Sequence, residues 1–358
     1  MSKLYRSEFV TQHRGASLDV DKLREDGQAG RRLEEVGARG DDLSKADLNR
    51  DGKISGAAEV GALYDHVDQL DRDGQPGSLV AVDRAGNALP AGKAMSALGL
   101  LFENKDTGFS ISAPVGPGQR NSRADVTAVQ RRLNALGFKL DEDGAWGRNT
   151  QNALRTYAAM LDGTENTRDK PGVIRPGDAL CELLASSSAP RWVQTPASGP
   201  GFKNGDRDGF SHGAETTMNV LRDAGARYHA SHLTQNPNDN PITTNDVSAR
   251  NGGKTRDHGT HQAGLDLDVY LPAKDGSSNV HYNSNAYDRD AAVEMVKSFA
   301  MDDRVERVLV KDREIVRRLQ ATGEPWADKV ERASNGHQHH FHVDIKPPPA
   351  PAPVTAQR

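Results

Sequence analysis

The chain has 358 residues, a formal net charge of −4, 35% hydrophobic and 5% aromatic residues. That length suits two or three domains, and so few aromatics favour several small cores over one large one. With no basic field, no segment of membrane-spanning length and a single cysteine, the composition excludes a nucleic-acid binder, a membrane-inserted protein and an intrachain disulfide.

The first ten residues, MSKLYRSEFV, hold no apolar stretch of the kind a secretory signal needs. Up to about residue 40 the chain is polar and charged with little pattern. Asp47-Leu-Asn49-Arg-Asp51-Gly52-Lys53-Ile54 then resembles the first two-thirds of an EF-hand calcium loop. Oxygen ligands at alternate positions wrap a hard cation, and the glycine permits the sharp turn. The twelfth position is Ala58, and Glu59 comes one residue late. Val60, Leu63, Tyr64, Val67 and Leu70 follow at helical spacing. They lead to Asp71-Arg-Asp73-Gly74, which resembles a second such loop and is expected to pair with the first. The resemblance implies calcium held by Asp47, Asn49, Asp51, Lys53, Glu59, Asp71 and Asp73, in a helical module spanning 1–112. A short apolar helix is expected over Ala94 to Phe102. The rival reading of both loops is a pair of plain Asp/Gly turns with no ion.

Ala113 to Gly118 reads as a linker. Val126, Val129, Leu133 and Leu136 mark a helix ended by Gly137. Asp143-Gly144-Ala-Trp146-Gly147 is a turn, and Thr150 to Leu161 is a second helix, expected to be capped near Asn149. This pattern resembles the peptidoglycan-binding domain common in cell-wall hydrolases. The resemblance implies a three-helix domain over 122–185, with Ile174 to Leu180 supplying the third helix. A polar stretch, Asp162 to Pro171, interrupts it like an insertion. Cys181 lies among Ala179, Leu180, Leu183 and Leu184, as a core thiol does. Ser186 to Gly201 reads as a second linker.

In the last domain, 202–346, helices are expected around Ala214 to Ala224, Ala291 to Ala300 and Ile315 to Leu319, with a strand over Val305 to Val310. Two further segments alternate. Leu265, Leu267, Val269 and Leu271 alternate with Asp266, Asp268 and Tyr270, while Phe341, Val343 and Ile345 alternate with His340, His342 and Asp344. Strand side chains alternate faces, so each run offers an apolar face to a core and a polar face to a site. If the strands are neighbours, Asp268 and His342 share a face, and His261 can curl back over it. Two imidazoles and a carboxylate suit zinc, and three protein ligands leave a position for water. Solvated strand faces would not need histidines gathered in both windows, and a structural zinc usually closes with four ligands and favours cysteine. The fold class expected is multidomain: an EF-hand-like helical module, a three-helix domain, and an α+β zinc domain with a largely antiparallel sheet. The proline-rich tail, 347–358, is expected to be extended.

His261-Gln-Ala-Gly-Leu-Asp-Leu-Asp268 and His337-Gln-His-His340-Phe-His342 resemble the motifs of the penicillin-insensitive murein endopeptidases. These are zinc peptidases related to D-Ala-D-Ala carboxypeptidases and lysostaphin-type enzymes. Asp246-Val-Ser248 and Gly252-Gly253 resemble that family's approach to the motif. The resemblance implies His261, Asp268 and His342 as zinc ligands, His337 and His340 as catalytic histidines, and His258 near the metal. It implies a peptidoglycan endopeptidase, with the D-alanyl–meso-diaminopimelate cross-link as the bond. A D,D-carboxypeptidase or L-Ala–D-Glu endopeptidase on the same fold stays open. So do a non-catalytic wall-binding protein with a structural zinc and a calcium-sensing interaction protein. The substrate implies action in the periplasm or cell wall. With no export signal visible, the expected routes there are a phage endolysin or a toxin effector delivered by a secretion machine, the latter with an immunity protein as a further partner.

Overall fold

The computed structural model describes residues 17–19, 45–50, 53–55, 58–65, 107–186, 189–206, 208–254 and 259–348. The chain divides into two compact units: residues 1–107 with 186–188, and residues 108–185 with 189–358. Among the described residues no helix is long and apolar enough to cross a membrane.

In the first unit, strand β1 (Ser17–Asp19) runs antiparallel to β2 (Lys53–Ser55), with Leu18 opposite Ile54. Residues 58–65 are helical, and Ile54, Val60, Leu63 and Tyr64 are buried. The apolar spacing after the loop therefore does mark a helix as far as residue 65, while Val67 and Leu70 lie outside the described residues. The strand paired with Ile54 precedes it in the chain, whereas the expected partner was the Asp71–Gly74 loop. That loop, Asp51, the Ala94–Phe102 segment and the tail from 349 lie outside the described residues.

The second unit begins with a helical module. Helix α1 (Arg123–Ala135) is capped by Ser122, whose hydroxyl accepts from the Asp125 amide at 3.2 Å. The Asp125 carboxylate in turn takes Ser112 N at 2.7 Å, tying the preceding segment to the helix. Helix α2 (Arg148–Asp162) starts two residues earlier than its apolar spacing indicated, with Gly147 rather than Asn149 at the cap and no side-chain cap bond. Helix α3 (Ala179–Ala185) starts five residues later than expected, because Ile174 instead forms a bridge with Val115. Both Val115 and Ile174 are fully buried, so the segment read as a linker contributes to this core. The motif between α1 and α2 has a physical cause. Buried Gln130 donates to Asp143 Oδ1 at 2.8 Å and accepts from Gly144 N at 2.9 Å, holding the turn.

The rest of the second unit is α+β. Short strands β3 (Trp192–Gln194) and β6 (His212–Ala214) pair with each other. Strands β4 (Ser198–Gly199), β5 (Phe202–Asn204), β7 (Ile242–Thr244), β8 (Asp266–Tyr270), β9 (Val305–Val310), β10 (Val330–Arg332) and β11 (His340–Ile345) form one sheet in the order β10-β9-β11-β8-β7-β5-β4. Its pairs are antiparallel except β10 with β9 and β7 with β5. Helices α4 (Glu215–Tyr228), α5 (Arg289–Ala300) and α6 (Arg313–Gln320) fall where the apolar spacing placed them. Leu267 and Val269 from β8, and Phe341 and Val343 from β11, share one core with Met218 and Leu221 of α4 and Met295 and Phe299 of α5. Phe299 meets Phe341 edge to face, centroids 5.8 Å apart. Covering the apolar face in this way turns His342, Asp268 and their neighbours to the opposite face.

Trp192 joins this domain to the helical module. The segment Ser186 to Gly201, read as a linker, places Trp192 1% exposed in the module's core with Leu133, Phe138, Ala214 and Leu265. Its ring stacks on Phe138 at 5.2 Å, and its amide donates to Leu136 O at 2.8 Å.

Candidate metal centre

In the β11–β8 ladder His342 stands directly opposite Asp268. Facing pairs on one side of a sheet bring their side chains together, and here His342 Nδ1 lies 2.7 Å from Asp268 Oδ1. His261 arrives from the loop before β8 in a left-handed conformation, φ 65°, which turns its ring back over the strand. Its Nε2 is 3.5 Å from the same Asp268 oxygen. All three residues are buried, and each offers a ligand atom within 4.8 Å of the others. The geometry thus brings together the three residues whose spacing in sequence pointed to a metal.

The ring nitrogens are sorted by their partners. His261 Nδ1 lies 2.9 Å from Val247 O, to which it donates, so Nε2 is the ring nitrogen that faces Asp268. His342 Nε2 lies 3.0 Å from Asp344 Oδ1 and 3.4 Å from Asp266 Oδ1, leaving Nδ1 for the centre. An imidazole held through its far nitrogen by a carbonyl or carboxylate is the usual arrangement around a bound metal. Asp344 is in turn paired with Arg307, and Asp266 Oδ2 accepts from His261 N at 3.1 Å. Neither aspartate was read from the sequence as part of the site. The signal was present, because both stand on the polar faces that carry the ligands, Asp344 two residues from His342.

The electrostatics favour a cation. Burial works to raise the Asp268 pKa, but the bonds from His261 and His342 outweigh it and hold the carboxyl well below its ordinary value. Burial likewise disfavours charge on His342, yet Asp266, Asp268 and Asp344 lift its pKa well above the usual imidazole range. Surroundings that stabilise a proton on this ring also stabilise a metal ion. Two imidazoles, each held through its far nitrogen, and one carboxylate fit zinc by donor type and number.

His340 and His337 border the centre and are partly exposed. His340 Nε2 is 3.5 Å from Asp268 Oδ2. His337, also left-handed at φ 62°, has its ring 4.9 Å from His340 and 5.9 Å from His342. Its Nδ1 lies 2.7 Å from Asn335 O, which makes Nε2 the acceptor. His258 lies outside the described residues. Asp246 O accepts from Asp268 N at 2.9 Å, so the Asp246–Ser248 segment is a direct support of the centre.

A carboxylate group unseen in the sequence, Asp206, Asp208 and Asp246, gathers within 4.8 Å. There the Asp208 carboxyl is pushed up to about 6, chiefly by its hydrogen bond with Asp206. Of the residues read as calcium ligands, Glu59 is buried and accepts from Asn49 N at 3.1 Å, while Asp47 is half-buried. Lys53 stands in β2, and Asp51, Asp71 and Asp73 lie outside the described residues. Cys181 is buried, and its thiol pKa is raised by that burial, as for a core residue.

Comparison with known families agrees with this geometry. Residues 194–358 match the family described as penicillin-insensitive murein endopeptidase, and residues 122–158 match a peptidoglycan binding domain. No curated protein matches the chain. In chain order, the matches are therefore a peptidoglycan binding domain and then the penicillin-insensitive murein endopeptidase family.

Proposed function

We propose that the chain is a zinc-dependent peptidoglycan endopeptidase acting in the periplasm or cell wall. Its bond would be the D-alanyl–meso-diaminopimelate cross-link, with the helical module holding the enzyme to its polymer. The observation that carries this reading is the convergence of His261, Asp268 and His342 on one buried point beside His337 and His340. Zinc, when bound there, lowers the pKa of a water molecule towards neutrality and polarises the scissile carbonyl. The described part of the centre offers no glutamate as base, which leaves the work to the two partly exposed histidines. One takes the proton of the attacking water and returns it to the leaving amine. The other donates a hydrogen bond to the oxyanion. A purely structural metal would have no use for this histidine pair at the rim.

Mass spectrometry of the fragments released from purified murein tests the reading. New amino groups on diaminopimelate, together with tetrapeptides ending in D-alanine, are expected with zinc and lost after chelation. Release of free terminal D-alanine alone would instead make the enzyme a carboxypeptidase, and cleavage next to L-alanine would make it an L-Ala–D-Glu endopeptidase. Intact murein in the presence of zinc would refute the catalytic reading.

A further inference from the structure

The polar stretch 162–171 interrupts the helical module and lies beyond the residues matched to the binding domain. In the structure it reaches the metal loop. Thr167 opens a short 3-10 turn capped by Asn166 and is 4% exposed. It donates twice to Gln262 Oε1, from N at 3.2 Å and from Oγ1 at 3.0 Å. Gln262 adjoins His261 and is equally buried. Its Nε2 donates to Gly259 O at 2.8 Å, and its carbonyl accepts from Gly253 N at 3.0 Å. One side chain and its peptide thus bind both limbs of the loop that delivers His261.

The module grips the same loop at three other points. The Asn251 side chain pairs with both backbone groups of Lys139, at 2.8 and 2.9 Å. Arg250 O accepts from the Trp192 ring at 2.9 Å. Gly252 packs against Thr156 so closely that a Cβ would come within 2.2 Å of its methyl group. His261 needs such support, because its left-handed backbone is disfavoured for any residue with a Cβ and persists only where surrounding contacts enforce it.

We propose that Thr167 is a positioning residue for the metal centre. Through Gln262 it holds the loop that keeps His261 over Asp268, so the helical module is a structural half of the centre and not only an anchor to the wall. This rests on the reading of His261 as a zinc ligand.

The test is zinc affinity of the full chain, measured by competition with a chelator, for Thr167→Val, Thr167→Ser and Gln262→Ala. Loss of a supporting hydrogen bond around a metal typically weakens binding about 10–100-fold. Gln262→Ala is expected in that range and Thr167→Val near its lower end, while Thr167→Ser, which keeps the donor, binds as wild type. Amide exchange at Gly253 should quicken in Gln262→Ala and Thr167→Val and not in Thr167→Ser. If the wild-type chain binds no zinc, the metal reading itself falls. If it binds zinc and both Thr167→Val and Gln262→Ala match its affinity, the positioning role alone is overturned.

Discussion

His342 and Asp268 face each other across the β11–β8 ladder with Nδ1 and Oδ1 2.7 Å apart, although 74 residues separate them in the chain. Their contact makes His342→Ala the sharpest test of the metal site. The variant is expected to lose bound zinc and all turnover while keeping the sheet, whose apolar face it does not touch. Elemental analysis of the purified protein decides this, and a full equivalent of zinc in the variant would refute the ligand assignment.

His337→Ala and His340→Ala should each retain zinc. Turnover is expected to fall by about 100 to 10,000-fold, as for other groups that transfer protons in a transition state. Near-normal murein digestion by both variants would leave the proposed chemistry without a proton carrier.

Trp192 is predicted to be a core residue of the second unit. Trp192→Ala should cost about 3–5 kcal/mol, the usual effect of emptying a large aromatic site. It should also loosen the metal loop, which loses its bond to Arg250 O. Thermal melting checks the first effect, and an unchanged melting temperature would contradict the packing described.

Acid should weaken the joint between α4, α5 and β9. Buried Asp302 accepts from Arg227 and from Arg304, both at 2.8 Å. Burial would raise its pKa, but these partners depress it. A carboxyl whose folded pKa lies below its unfolded value, about 4, adds stability above that value and loses it as the pH falls towards the folded pKa. Asp302→Asn is therefore expected to cost about 1–3 kcal/mol at neutral pH and to flatten the acid limb of a stability–pH curve. Parallel curves for wild type and variant would contradict this.

Calcium should raise the thermal stability of the first unit by mass action, and replacing Asp47 and Asp51 together should abolish the shift. The late position of Glu59 implies weak binding, at the millimolar levels found outside cells. Calorimetric titration at millimolar calcium checks this, and absence of heat would reduce both Asp/Gly segments to plain turns.

The sequence alone determined the local order of the C-terminal domain. Period-two alternation marked β8 and β11, helical spacing marked α4, α5 and α6, and the motifs singled out His261, Asp268 and His342. Those are properties of neighbouring residues, and backbone geometry translates them directly. The helical module was legible in the same way, down to the Asp143–Gly147 turn, but not in its limits. Val115, Ile174 and Trp192 stand alone or beside one valine in stretches broken by Pro and Gly, so no periodicity reveals that long-range packing buries them. Only the tertiary structure decided that β8 and β11 are adjacent and that Asp266 and Asp344 stand behind the histidines. It alone also showed that the polar stretch around Thr167 meets Gln262. Each of these is a pairing between segments far apart in the chain. Such pairings are set by how the apolar faces of the whole domain are covered, a constraint that no local window contains.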